Sequence, residues 1–128
     1  EISDVMELLR AQVVEPGEII MRAGDTARSM YFIAAGEVDI EIKGKKERIR
    51  LGAGQFFGEV ALLRRTRRTA TVTAITRTSL LGLDAHDLHA LMRRDTRIAA
   101  RIKEVAEHRA GKRAAAVKQE ATAAIEEE

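Results

Sequence analysis

Between residues 37 and 43 the chain alternates: Val38, Ile40 and Ile42 are apolar, while Glu37, Asp39, Glu41 and Lys43 are charged. A period of two marks a strand with one buried face. The segments around it also read as strand and turn. Val13-Val14 and Ile19-Ile20-Met21 flank the turn dipeptide Pro16-Gly17. Gly24-Asp25 breaks the chain before Met30-Tyr31-Phe32-Ile33, and Ala35-Gly36 breaks it again before the alternating strand. Gly44-Lys45-Lys46 is a polar hairpin turn, Ile49 and Leu51 alternate in the return strand, and Gly52-Ala53-Gly54 closes it. Two further strands are predicted over 69–76 and 79–83. About eight short strands with glycine turns predict a small antiparallel sandwich or barrel of the jelly-roll kind.

At both ends the period becomes helical. Ile2, Val5, Met6 and Leu9 share one stripe of a short amphipathic helix over 2–10, with Ser3 or Asp4 as its N-cap. After Leu83, Asp84 is placed to cap a helix carrying Leu88, Leu91 and Met92. Asp95 or Thr96 is placed to cap a second one carrying Ile98, Ile102, Val105 and Ala106. Gly111 weakens that helix locally by about 1 kcal/mol relative to Ala. The Ala, Lys and Glu tail beyond it has almost no large apolar residues and is expected to fray or to be ordered by a partner. The domain is therefore bounded at 1–111, with 112–128 as the tail.

The length of 128 residues fits one domain. With 45% apolar and 33% charged residues the chain is too apolar to be disordered. Its net charge of +2, from 22 basic and 20 acidic residues, does not favour generic binding to nucleic acid or membranes. Without cysteine, disulfides, thiolate zinc sites and thiol nucleophiles are excluded. No window approaches the ~18 consecutive apolar residues of a membrane span. The start at Glu1 without Met suggests a piece cut from a longer polypeptide.

One stretch interrupts the strand pattern with chemistry. Phe56-Phe57-Gly58-Glu59-Val60-Ala61-Leu62-Leu63 reads as a glycine opening one helical turn. It is followed by the basic loop Arg64-Arg65-Thr66-Arg67-Arg68 and the strand Thr69-Ala70-Thr71-Val72. Unpaired N–H groups at such a turn, with the positive end of its dipole, favour an anion. An arginine entering the next strand, Arg67 or Arg68, supplies the planar fork that a phosphate accepts. Glu59 has the wrong sign for phosphate but is a good acceptor for a sugar hydroxyl. Together these residues read as a sugar-phosphate pocket.

This stretch resembles the phosphate-binding cassette of the cyclic nucleotide-binding domain family: Phe-Gly-Glu-x-Ala-Leu, a short loop, then Arg-Ser/Thr-Ala. Pro16-Gly17-Glu18, Gly24-Asp25, Met30-Tyr31-Phe32-Ile33 and Gly36-Glu37-Val38 resemble the family's early strands in order and spacing, so that roughly residues 5 to 110 are covered. The resemblance implies an α+β fold: an eight-stranded antiparallel, jelly-roll-like β-roll with an N-terminal helix, a short cassette helix and two C-terminal helices, the last acting as a lid. It also implies cAMP or cGMP as ligand, with no further cofactor. Glu59 takes the ribose 2'-hydroxyl and Arg68 the cyclic phosphate. Gly58, Val60 and Ala61 line the turn with backbone donors. Thr69 contacts the phosphate and favours guanine in its syn form, Ile40 packs on the base, and Arg109 reaches the purine from the lid. Arg67 stands where the family commonly has Pro, which makes the loop more basic and less rigid.

Elsewhere the residues have plainer readings. His86 and His89 are three apart on a helix, a metal-compatible spacing, but no third ligand is indicated and they read as surface residues. Met21, Met30 and Met92 read as core packing. Glu59 has no carboxylate partner at catalytic spacing and no Ser-His-Asp pattern stands out, so the expectation is a binder rather than an enzyme. The cassette and the Ala-Glu-His-Arg-Ala-Gly stretch resemble bacterial cyclic nucleotide-regulated ion channels and related transporters. This implies a domain on the cytoplasmic side of the cell membrane, partnered by the rest of its own polypeptide and by a pore, as a homo-oligomer in the parent and without nucleic acid. A transcription regulator is the alternative. The tail from Lys112 to Glu128 is too short and too poor in large apolar residues for a helix-turn-helix, so that alternative, like a fused enzyme, needs a truncated chain.

Overall fold

The computed structural model describes residues 7–109. The difference between continuous and alternating apolar runs decides its layering. Eight strands lie among the described residues: β1 (Arg10–Val14), β2 (Ile19–Met21), β3 (Ser29–Ala35), β4 (Glu37–Ile42), β5 (Arg48–Gly52), β6 (Phe56–Phe57), β7 (Ala70–Ala74) and β8 (Thr78–Asp84). They form two antiparallel four-stranded sheets, ordered β1-β8-β3-β6 and β2-β7-β4-β5. β4 follows its pattern, with Val38, Ile40 and Ile42 buried between the sheets and Glu41 exposed. β3 has no polar face because both of its faces are covered. Ile33 and Tyr31 face the space between the sheets, and Met30 and Phe32 face the helices on the other side.

The helices cover that second face. Residues 7 and 8 are helical (α1), α2 spans Glu59–Arg64, α3 spans Ala85–Arg94, and α4 occupies 96–109. Leu62, Leu88, Leu91 and Ile102 pack with Met30 and Leu83 into a second apolar cluster. The expected eight-stranded roll with flanking helices is the architecture observed.

Several boundaries differ from expectation. The first helix was expected to reach residue 10, but β1 begins at Arg10, where pairing with Gly82 of β8 takes over the backbone. Ile2, Val5 and Met6, like Gly111 and the tail at 112–128, lie outside the described residues. β6 had no forecast. It is two residues long and exists because Phe56 and Phe57 pair with Phe32 and Tyr31 of β3. Asp84 does occupy the cap position of α3, but its carboxylate makes no cap hydrogen bond and lies 3.7 Å from Arg10 instead. As the last residue of β8, Asp84 faces the neighbouring strand. Asp95 does cap α4: its Oδ1 accepts from the amides of Arg97 at 3.0 Å and Ile98 at 3.2 Å.

Candidate functional site

A recess with a cavity volume of about 80 Å³, partly open to solvent, lies against the inner face of the β2-β7-β4-β5 sheet. Ile40, Ile42, Ile49 and Leu51 from β4 and β5, Ala70 and Val72 from β7, and Met21 from β2 make its apolar wall. Phe57 and Gly58 close it from the other sheet, Arg109 from α4 and Lys45 from the β4–β5 turn.

Gly58 is the pivot of the cassette. It caps α2 with φ +90°, a left-handed conformation in which a side chain is strained. Space also forbids one, since a β-carbon there would lie 3.0 Å from Arg68 Nη1 and 3.3 Å from the Ser29 carbonyl oxygen. The chain can thus run from β6 into α2 directly over the Arg68 guanidinium. That guanidinium donates from Nη1 to the Gly58 carbonyl at 2.9 Å and from Nη2 to the Ser29 carbonyl at 2.7 Å. Three of its five N–H donors make no hydrogen bond among the described residues. Burial lowers the Arg68 pKa from its ordinary value, against the opposing pull of Tyr31, Glu59 and Asp25. An arginine nonetheless stays cationic at neutral pH.

The loop before Arg68 does not hang free at its end. The Arg68 amide donates to the Asp25 carbonyl and the Gly24 amide to the Arg68 carbonyl, both at 2.8 Å. Arg67 Nη1 donates to the Gly24 carbonyl at 3.1 Å. Arg67 is exposed and Arg68 is 6% exposed, so the two arginines have separate surroundings.

Glu59 is wholly buried in the first turn of α2. Its Oε1 accepts from Nη1 of Arg109, and its Oε2 has no hydrogen-bond partner among the described residues. Arg109 also stacks its guanidinium 5.2 Å from the centre of the Phe56 ring, a cation–π distance. α4 is therefore latched to the cassette at two points. An acceptor carboxylate and a guanidinium with donors to spare stand on either side of Gly58.

Of the expected site residues, Ile40, Gly58 and Arg109 line the recess. Glu59 and Thr69 flank it as the chain neighbours of Gly58 and Ala70, and Arg68 sits beneath Gly58. Val60 and Ala61 have their side chains buried in α2. The Ala61 carbonyl is engaged by the amides of Arg65 and Thr66 where α2 ends. Sequence reasoning missed Ser29, Met21, Lys45 and the β5 wall. Met21, read as core only, packs on the core and also faces the recess. The in-register pairing of Ile49 with Ile40 was the one available signal for the β5 wall. His86 and His89 sit on α3, and no group of three potential metal ligands exists among the described residues.

A sequence model described as the cyclic nucleotide-binding domain matches residues 11–95. The chain belongs to the cyclic nucleotide-binding domain family. A Rhodopseudomonas palustris protein named as a proposed potassium channel is 49% identical over 114 residues, covering 88% of this chain and 28% of that protein. A cyclic nucleotide-gated potassium channel of Rhizobium etli is 38% identical over 108 residues, covering 84% of this chain and 30% of the channel. The crystal structure of the Thermus thermophilus catabolite activator protein superposes with a TM-score of 0.73 at 27% identity, over 88% of this chain and 55% of that one. This cyclic nucleotide-binding domain spans less than a third of the length of the two channel relatives. Its relatives are named for channels and an activator, and it is a binding domain rather than an enzyme.

Proposed function

We propose that the chain is a regulatory domain that binds cAMP or cGMP in the recess and couples closure of α4 to the gating of a membrane ion channel in its parent protein. The observation that carries this reading is the pairing of Glu59 and Arg68 across Gly58. A cyclic ribose phosphate offers one hydroxyl donor beside one anionic acceptor. The cassette offers the complementary groups, a buried carboxylate oxygen and a guanidinium with three spare donors, both without further partners among the described residues. In this reading Glu59 Oε2 accepts the 2'-hydroxyl and Arg68 holds the phosphate. The backbone of Gly58, Val60 and Ala61 and the side chain of Thr69 complete the sugar-phosphate contacts. Ile40 and its apolar neighbours take the base, and Arg109 closes over it.

The mechanism is a population shift. Arg109 and the ligand meet at the same carboxylate, so occupancy of the recess changes the free energy of holding α4 where it is, and the shift is limited by the ligand's differential affinity for the two positions of the helix. The channel relatives, at 49% and 38% identity, favour a pore over a transcription regulator as the output. The domain then sits at the cytoplasmic face of the membrane, beside the pore and among further copies of itself. No helix of the described residues is long and apolar enough to cross a membrane.

Calorimetric titration of the chain with cAMP, cGMP and their 2'-deoxy analogues tests the binding step. Saturable binding at micromolar or tighter affinity is expected, with the deoxy analogues weaker and Glu59→Gln narrowing that gap. No binding of either nucleotide overturns the proposal, and equal affinity for ribo and deoxy forms removes the role of Glu59.

A further inference from the structure

Lys45 is a recess-lining cation with no role in the reading above. It belongs to the turn joining β4 to β5, and the pairing of β4 with β7 fixes where that turn lies. Ile42, the last residue of β4, pairs with Ala70, the first of β7, and the Lys43 amide donates to the Thr69 carbonyl at 3.1 Å. The turn then closes tightly: the Lys45 amide donates to the Ile42 carbonyl at 3.0 Å, with Gly44 at φ +85° in its third position. Lys45 is thus held at the end of the sheet where the chain passes from Arg68 through Thr69 into β7. Its side chain is half-buried and borders the recess together with Ile42, Ala70 and Gly58. Arg109, the other lining cation, is committed to Glu59 and Phe56. Lys45 makes no ion pair or side-chain hydrogen bond among the described residues.

We infer that Lys45 is a second cation for the cyclic phosphate, acting from the β4–β5 turn while Arg68 acts from beneath Gly58; the inference rests on the proposed nucleotide-binding role. A cyclic phosphate diester shares one negative charge between two exocyclic oxygens. The Arg68 guanidinium is fixed in place by the Gly58 and Ser29 carbonyls, so its planar fork cannot turn to follow both oxygens. A lysine ammonium is the complementary device, a compact charge with three rotatable donors on a flexible four-carbon stem. From a turn beside Thr69 it reaches the oxygen that the fork does not face. Arg68, buried and rigid, thereby sets the orientation of the phosphate, and Lys45 adds attraction. Adenine and guanine nucleotides share this phosphate, so Lys45 raises affinity without choosing a base. Because the ammonium is only half-buried, its contribution is screened by salt.

The test is calorimetric titration of the whole chain, as parent, Lys45→Met and Lys45→Arg, with cAMP and cGMP at about 0.05 M and about 0.5 M salt. Lys45→Met is expected to weaken both nucleotides alike, by about fivefold at the lower salt, and by less at the higher, where screening has already weakened the parent. Lys45→Arg, which keeps the charge, is expected to stay within about twofold of the parent. A loss confined to one nucleotide puts the ammonium on the base and overturns the inference. An equal loss that does not shrink with salt assigns the effect to the apolar stem, and no loss puts the ammonium in solvent; either result also overturns it. Melts without ligand should superimpose for parent and variants, since the substitution removes no contact of the side chain among the described residues. If they do not, Lys45→Gln replaces Lys45→Met in the same titrations. If the parent chain binds neither nucleotide, the binding reading itself falls, an outcome distinct from a parent that binds while Lys45→Met binds as tightly.

Discussion

Arg68 serves the fold and the site with the same guanidinium. Its two hydrogen bonds hold the Gly58 and Ser29 carbonyls, and a truncated side chain would leave both without that donor, at about 1–3 kcal/mol for each that stays buried. Arg68→Ala is therefore expected to lower stability together with affinity. Arg68→Lys is the sharper probe: it keeps the charge but loses the planar fork. Chemical denaturation should find it folded with a modest loss, and titration should find nucleotide binding weakened by about tenfold or more. A lysine variant that binds like the parent would end the phosphate role. Glu59 and Arg68 were legible in the sequence because their signal is local, a glycine, an acid and an arginine within one short stretch. Ser29 was not, because it lies 39 positions before Arg68 and meets it only once the chain between them has folded into two sheets.

Elements were legible where one face is wet. β4 announced itself through Val38, Ile40 and Ile42, and β7 through Ala70, Val72 and Ala74, since in each only alternate residues are fully buried. β6 could not, because two phenylalanines have no period and their strand character comes from β3. The start of β1 was hidden for a related reason: Arg10, Ala11 and Gln12 lie exposed at a sheet edge and carry no apolar pattern. Helix starts divide by what else competes for the capping side chain. Asp84 is drawn to Arg10, whereas Asp95 spends its carboxylate on two α4 amides. Asp95→Ala is expected to cost about 1 kcal/mol in a denaturant melt and to speed hydrogen exchange at the Arg97 and Ile98 amides. Unchanged exchange at those amides would mean that packing of Ile98 and Ile102, not the cap, starts the helix.

Over the whole molecule, two apolar clusters share the β1-β8-β3-β6 sheet as a common partition. A single layer of backbone therefore separates the recess from the helix-side cluster, and Arg109 of α4 bridges the two by lining the recess itself. A ligand that binds only the folded domain adds about 2.7 kcal/mol at a hundredfold excess over Kd, which for a domain of this size raises Tm by on the order of 10 °C. Thermal melts with and without saturating cGMP or cAMP check this, and superimposable melts would exclude binding at that excess. The fourteen helical residues from 96 to 109 carry a geometric consequence of their own. They span about 21 Å and nearly four turns between the Asp95 cap and Arg109. The helix thus works as a combination dial: one residue inserted or removed along it turns Arg109 by about 100° and points it away from Glu59. Shape and composition would hardly change, yet the key would no longer meet its lock.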